Sequence, residues 1–169
     1  MRRTSEKDGD FTEFVAQRRP ELVRVATLLV SGDAAKAEDV VQTALTRIYL
    51  AWPKVRRETA IAYARRCVVN AAIDERRSLF RRREHLSAQL PDVAATETPH
   101  QDGDLAVALL ATLPASMRAA VVLRYVEGLS IAETAAAMRC GEGNVKSQSA
   151  RGLQKLREQF PARAQHVFP

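Results

Sequence analysis

The stretch LSIAETAAAMRCGEGNVKSQSARGLQKLRE, residues 129–158, decides the fold. Ser130 followed three residues later by Glu133 is a capping box, in which a hydroxyl and a carboxylate satisfy the orphan amides of a helix start. A first helix is therefore predicted over 131–138, with Arg139-Cys140-Gly141 as a tight turn and a second helix behind it. A helix-turn-helix needs a small residue in the first helix where the second packs, a short turn, and a buried aliphatic early in the second. Ala135, the turn and Val145 meet those needs, and Leu153 and Leu156 continue the inner side. The outer side carries Lys146, Ser147, Gln148 and Arg151. Arg and Lys suit phosphate or guanine edges, Gln suits adenine, and Ser suits either. The competing reading is an amphipathic surface helix with an ordinary polar face.

Charge along the chain favours a polyanionic partner. The formal net charge is +6, unevenly placed. Residues 1–53 carry eight basic and eight acidic side chains, whereas 54–83 carry ten basic and three acidic. Residues 84–104 carry five acidic groups and no Lys or Arg, and 139–157 carry five basic groups against one acidic. Two basic segments on predicted helices, with an acidic spacer between them, form the electrostatic footprint of a nucleic-acid binder. Other classes find little support. The three histidines are isolated and placed in apparent linkers or the tail, so no metal-ligand cluster forms, and no cofactor is expected. Cys67 and Cys140 read as two free buried thiols. No run of 18 apolar residues is present, and the N-terminal MRRTSEKDGD lacks the apolar core of a signal peptide, so no membrane insertion and a cytoplasmic location are expected.

Upstream, the pattern is helical almost throughout. Asp10 with Glu13 reads as a capping box that starts a helix, and Pro20 as the opening of a second segment over 20–30. Ser31-Gly32-Asp33 is a break, with Asp33 placed to cap the next helix. Ala37, Val40, Val41, Ala44, Leu45, Ile48, Tyr49 and Trp52 keep helical spacing for four turns until Pro53. A further helix is predicted over 58–78, with Ile61, Ala64, Val68 and Ala71 on its apolar side. The period dissolves over 84–104, which reads as a flexible acidic linker. Helices resume at about 105; Pro114 opens a segment that closes at Gly128, a C-cap glycine. The expected fold is all-α: two small helical domains, residues 10–82 and 104–160, joined by a flexible acidic linker over 83–103.

These residues resemble a known family. LPASMRAAVVLRYVEGLS with Val145-Lys146-Ser147 is similar to the C-terminal DNA-binding domain of bacterial sigma factors of the extracytoplasmic-function (ECF) group. FTEFVAQRRPELVRVATLLVSGDAAKAEDVVQTALTRIYLAW through AYARRCVVNAAIDERR resembles their promoter-melting domain. SQSARGLQKL and DAAKAEDVVQTAL are closest to the SigE-like actinobacterial subgroup. Three departures stand out. Arg139 occupies a turn position that is usually Gly, and Gly141 is expected to relieve that turn. Gln148 stands in place of the usual Arg. Ser149 replaces a large apolar residue, so weaker inner packing is expected there.

The resemblance implies roles. The 34–52 helix would dock on the clamp helices of the largest subunit of core RNA polymerase through Glu38, Asp39, Gln42 and Thr43, and the C-terminal domain on the polymerase flap. The 58–78 helix would read and melt the minus-ten promoter element through Tyr63, Arg66, Asn70, Asp74 and Arg77, which share one helix face. The loop around Trp52 to Thr59 would help hold a flipped base. Lys146, Ser147, Gln148 and Arg151 would read the minus-35 element. An anti-sigma factor is a further candidate partner. The implied function is direction of promoter recognition and DNA melting without bond chemistry. The alternative is a dimeric helix-turn-helix regulator that binds duplex DNA without polymerase.

Overall fold

A computed structural model describes residues 2–85 and 102–161. Every regular element among them is helical. Helix α1 spans Arg2–Leu29, α2 Ala34–Ala51 and α3 Ala60–His85. Helix α4 spans Asp102–Ala111, α5 Ala115–Val121, α6 Ile131–Met138 and α7 Glu142–Gln159.

Two expectations for the first helix are corrected. Asp10 does not cap a helix, and Pro20 does not begin one; α1 runs unbroken through both. Asp10 instead pairs with Arg57, and Asp8 accepts a hydrogen bond from the Tyr49 hydroxyl at 2.8 Å, so the acidic residues before Phe11 are anchored by other elements. Pro20 costs the helix one backbone hydrogen bond. Leu22, Val25 and Ala26, just beyond it, are buried, and that burial holds the helix through the proline. The break itself falls as predicted. Ser31 and Gly32 take left-handed backbone at φ +60° and +80°, and Asp33 accepts from the Lys36 amide at 3.0 Å.

Helix α2 buries the predicted stripe Ala37, Val40, Val41, Ala44, Leu45 and Ile48 between α1 and α3. Trp52 completes this core, edge-on to Phe11 and tilted against Phe14. Two 3-10 turns, Trp52–Lys54 and Arg57–Thr59, lead into α3, whose Ala60, Ala64, Val68 and Ala71 close the bundle. The third helix continues to His85, seven residues past the predicted end, so RSLFRRR is helical.

The second core is built from Leu109, Leu110, Leu113, Val121, Val122, Leu153 and Leu156. Helix α4 starts at Asp102, so the segment read as linker shortens at both ends; its interior, residues 86–101, lies outside the described residues. His100 and His166 lie there or in the tail. Pro114 caps α5, which widens into a π-turn over Val122–Val126. Gly128, at φ +66°, ends it as predicted. Helices α5 and α7 cross closely at Gly152, where an added Cβ would lie 2.7 Å from Val121 Cγ2.

The two helical units pack on each other. Leu28, at the end of α1, belongs to the second core. Val69 of α3 is buried with Leu123 and Ala137 of the second unit. Arg118 fastens the junction: its Nε donates to Leu110 O at 3.0 Å, Nη2 to Leu113 O at 2.9 Å and Nη1 to Leu29 O at 3.0 Å. It thereby gathers carbonyls at the C-terminal ends of α1 and α4, where a helix dipole favours a cation.

Candidate nucleic-acid interface

The predicted helix-turn-helix forms. Ser130 Oγ accepts from the Glu133 amide at 3.1 Å, and Glu133 Oε2 accepts from the Ser130 amide at 2.9 Å. Those two bonds hold the Glu133 carboxyl below its ordinary value. Ala135 and Val145 are buried where the two helices meet, and Ser149 is buried among them. The expected packing defect at Ser149 is filled by polarity: its hydroxyl donates to Val145 O at 2.8 Å.

The turn differs from expectation. Gly141 does not relieve it; that glycine has φ −75° and caps α7. Arg139 itself takes the left-handed conformation, at φ +53° and ψ +47°. Cys140 is half-exposed rather than buried. On the outer face of α7, Lys146 and Arg151 are exposed, while Ser147 and Gln148 are half-buried. Gln148 Nε2 donates to Asn144 Oδ1 at 3.4 Å, which places a second amide side chain in the same reading row. Sequence reasoning passed over Asn144; its position four residues before Gln148 was the available signal.

On α3 the five predicted residues line one stripe but differ in state. Arg66 and Arg77 are exposed. Tyr63 is half-buried beside Cys67, and burial pushes its hydroxyl's pKa up. Asn70 is half-buried, and its Oδ1 has no hydrogen-bond partner among the described residues. Asp74 is engaged on both oxygens: Arg47 of α2 lies 3.0 Å from Oδ2, and Arg139 of the helix-turn-helix turn 3.1 Å from Oδ1. Trp52, placed in the loop expected to hold a flipped base, is buried in the first core. Lys54, Arg56 and Arg57 in that segment are exposed.

On α2, Glu38 pairs with Arg19 of α1, while Asp39, Gln42 and Thr43 are exposed. Leu50, 74% exposed, extends this surface as an apolar patch. Beside α3, Arg65 pairs with Glu21 and lies 3.0 Å from Glu127, an acid whose side chain is 7% exposed. The approach to Glu127 is close but not aligned as a hydrogen bond. Burial pushes the Glu127 carboxyl's pKa up, and Arg65 opposes that shift only in part. Nothing local in sequence links residues 62 positions apart, so this pair was not legible beforehand. No group of three or more metal-ligating side chains occurs among the described residues, and no described helix is long and apolar enough to cross a membrane.

The arrangement defines a class: an all-helical, two-unit DNA-binding protein with a helix-turn-helix in the second unit. Comparison with known proteins gives the family. Sigma-70 region 2 matches residues 14–83, and Sigma-70 region 4 matches residues 104–156. The RNA polymerase sigma-E factor of Streptomyces avermitilis is 37% identical, across 91% of this chain and 87% of its own. The ECF RNA polymerase sigma factor SigM of Mycobacterium tuberculosis is 33% identical, across 86% and 74%. Among solved structures, the sigma factor RpoE of Bartonella quintana, in complex with the anti-sigma factor NepR, aligns with TM-score 0.71 and 25% identity over 91% of this chain and 98% of that one. The chain belongs to the ECF family of RNA polymerase sigma factors.

Proposed function

We propose that this chain binds core RNA polymerase through the exposed side of α2 and directs promoter recognition, with α3 reading and melting the minus-ten element and α7 reading the minus-35 element. The observation that carries the reading is the presence, in one chain, of both sigma regions, each bearing a helix with exposed cations. A helix-turn-helix regulator acting alone needs no second unit of this kind.

Residue chemistry supports the division of labour. Lys146 and Arg151 offer cations from the helix that a helix-turn-helix lays in the major groove. Arg66 and Arg77 offer cations to a separated strand, and Asn70 and Asp74 offer donors and acceptors to exposed base edges. Asp39, Gln42 and Thr43 leave a polar face on α2 free for a protein partner, where charge sets orientation and on-rate. The protein acts by binding, with no reaction of its own, in the cytoplasm at the nucleoid. An anti-sigma factor, such as the one bound by the Bartonella relative, is a further candidate partner.

The test is reconstituted initiation. Asn70→Ala with Asp74→Ala should leave the upstream-element footprint and assembly with core polymerase nearly unchanged. Permanganate reactivity of unpaired promoter thymines should fall sharply. A pre-melted template should restore transcripts only in part, because recognition of the strand is lost as well. Normal melting by this double variant would move the reading function off α3.

A further inference from the structure

We propose that the packing between the two helical units is a reversible clasp, closed by Arg139 on Asp74, which withholds the strand-reading stripe of α3 in the free protein until core polymerase draws the units apart. This rests on the sigma-factor reading above for the identity of the two DNA surfaces.

The first observation is where the turn of the helix-turn-helix sits. Asp74 belongs to the reading stripe, and Arg139 belongs to the turn that leads into the recognition helix. Their ion pair puts the two DNA-reading surfaces in contact with each other. With Arg47 on the second oxygen, the Asp74 carboxylate is fully occupied and has no acceptor left for a base amine. Next along the stripe, Glu133 of α6 lies close enough to Arg66 to feel its charge, so one of the stripe's cations already faces an acid. Asn70 is half-buried beside Val69, which is sealed against Leu123 and Ala137. Three of the five stripe residues are thus engaged or covered within the chain.

The second observation is backbone strain. Among the described residues only Ser31 and Arg139 are non-glycine residues at positive φ. A left-handed turn residue is ordinarily glycine, because a Cβ clashes there. Strain kept at one position is evidence of a job done by the side chain. Here the guanidinium reaches across to α3, which glycine cannot do.

The third observation is that the contact is built to open. Its apolar centre is small, namely Val69, Leu123 and Ala137 with Leu29, Ile73, Leu129 and Met138 at the margin. Around it, Asn70 Oδ1 is buried without a partner among the described residues, and Arg65 and Glu127 are close without a well-formed hydrogen bond. Buried polar groups left unsatisfied favour a state in which water can reach them. An interface of this composition is weaker than either helical core.

Geometry then requires opening. The minus-ten and minus-35 elements lie about 25 base pairs apart, about 85 Å along B-form DNA. A compact chain of this length has a radius of gyration of about 15 Å. With Arg139 and Asp74 in contact, the two readers cannot occupy both elements. Residues 86–101 between α3 and α4 span up to about 55 Å when extended, enough to let the units part without unfolding either.

The experiment uses the full free chain with three substitutions. Arg139→Gly removes the clasp cation and relieves the backbone. Val69→Glu places a charge in the apolar centre, outside the first core. Arg139→Lys keeps the cation. The probes are small-angle X-ray scattering and binding of a fluorescein-labelled single-stranded oligonucleotide of mixed sequence, without polymerase. Arg139→Gly and Val69→Glu should both raise the radius of gyration and tighten single-strand binding about fivefold or more, with helix content unchanged. Arg139→Lys should stay compact and bind like wild type. If Arg139→Gly and Val69→Glu both keep wild-type dimensions and strand affinity, the clasp is overturned; a higher melting temperature with unchanged dimensions would show Arg139 to be only a strained turn residue. Run-off transcription by wild type with core polymerase separates the two claims. A wild type that directs no transcripts overturns the functional reading, whereas an active wild type with unresponsive variants overturns only the clasp.

Discussion

At the scale of single residues, close approach and backbone conformation decide more than chemistry does. Gly152 shows how two effects of opposite sign are weighed. Alanine in a helix interior gains about 1 kcal/mol over glycine. Its Cβ would sit 2.7 Å from Val121 Cγ2, and Val121 is fully buried, so the crossing of α5 and α7 must shift. Overpacking costs about 1–3 kcal/mol. The expected result for Gly152→Ala is a net loss of about 1 kcal/mol in urea unfolding, partly recovered in the double variant with Val121→Ala. A stabilised single variant would show that the helices slide apart freely. Sequence patterning made much of this scale legible. Ser130 and Glu133 specify a cap by local spacing alone, as do Asp33 and Gly128. Asp10 and Pro20 misled for a shared reason: both carry local start signals, and tertiary burial of Leu22, Val25 and Ala26 overrode them. Arg139 misled differently, since the rule that glycine takes the left-handed position ignores what a longer side chain can reach.

At the scale of elements, the recognition helix offers the sharpest test. Val145, Gly152, Leu153 and Leu156 fix one side of α7 in the second core, so Lys146 and Arg151 must project outward. Both are exposed, so replacing either with alanine removes no packing of consequence. A lost base contact should weaken upstream-element binding by about 1–3 kcal/mol. A lost phosphate contact should instead reduce the salt slope of binding by about 0.9. Fluorescence anisotropy over a salt series separates these outcomes; unchanged affinity and slope for both variants would remove α7 from the interface. The face of α7 was legible because helical periodicity separates inside from outside. The state of α3 was not, because periodicity places five residues on one stripe without revealing what packs beside it. Arg65, Val69 and Ile73 look like ordinary helix positions in sequence, yet they face the second unit.

At the scale of the whole molecule, the junction between units should respond to pH through Glu127. Burial raises its pKa above the ordinary value of 4.5; Arg65 and Arg24 oppose the shift, and Glu21 adds to it. An acid whose pKa is raised on packing binds its proton more tightly in the packed state. Its contribution to stability is therefore present below the ordinary value and is lost as pH rises through the raised one. Asp33 and Glu133 act with the opposite sign. Their pKa values are lowered by hydrogen bonds from Lys36 and Ser130, so their contributions are lost as pH falls. Wild-type stability alone mixes these terms, and a comparison of two proteins isolates one. Gln at position 127 imitates the protonated acid and never ionises. Measured from pH 4.5 upward toward neutrality, the melting temperature of Glu127→Gln should rise relative to wild type, and the difference should grow until Glu127 is fully ionised. The radius of gyration of the free wild-type chain should increase over the same window, while that of Glu127→Gln stays flat. A difference that shrinks with rising pH would mean that the ion pair with Arg65 outweighs burial, and Glu127 would then hold the units together as an anion.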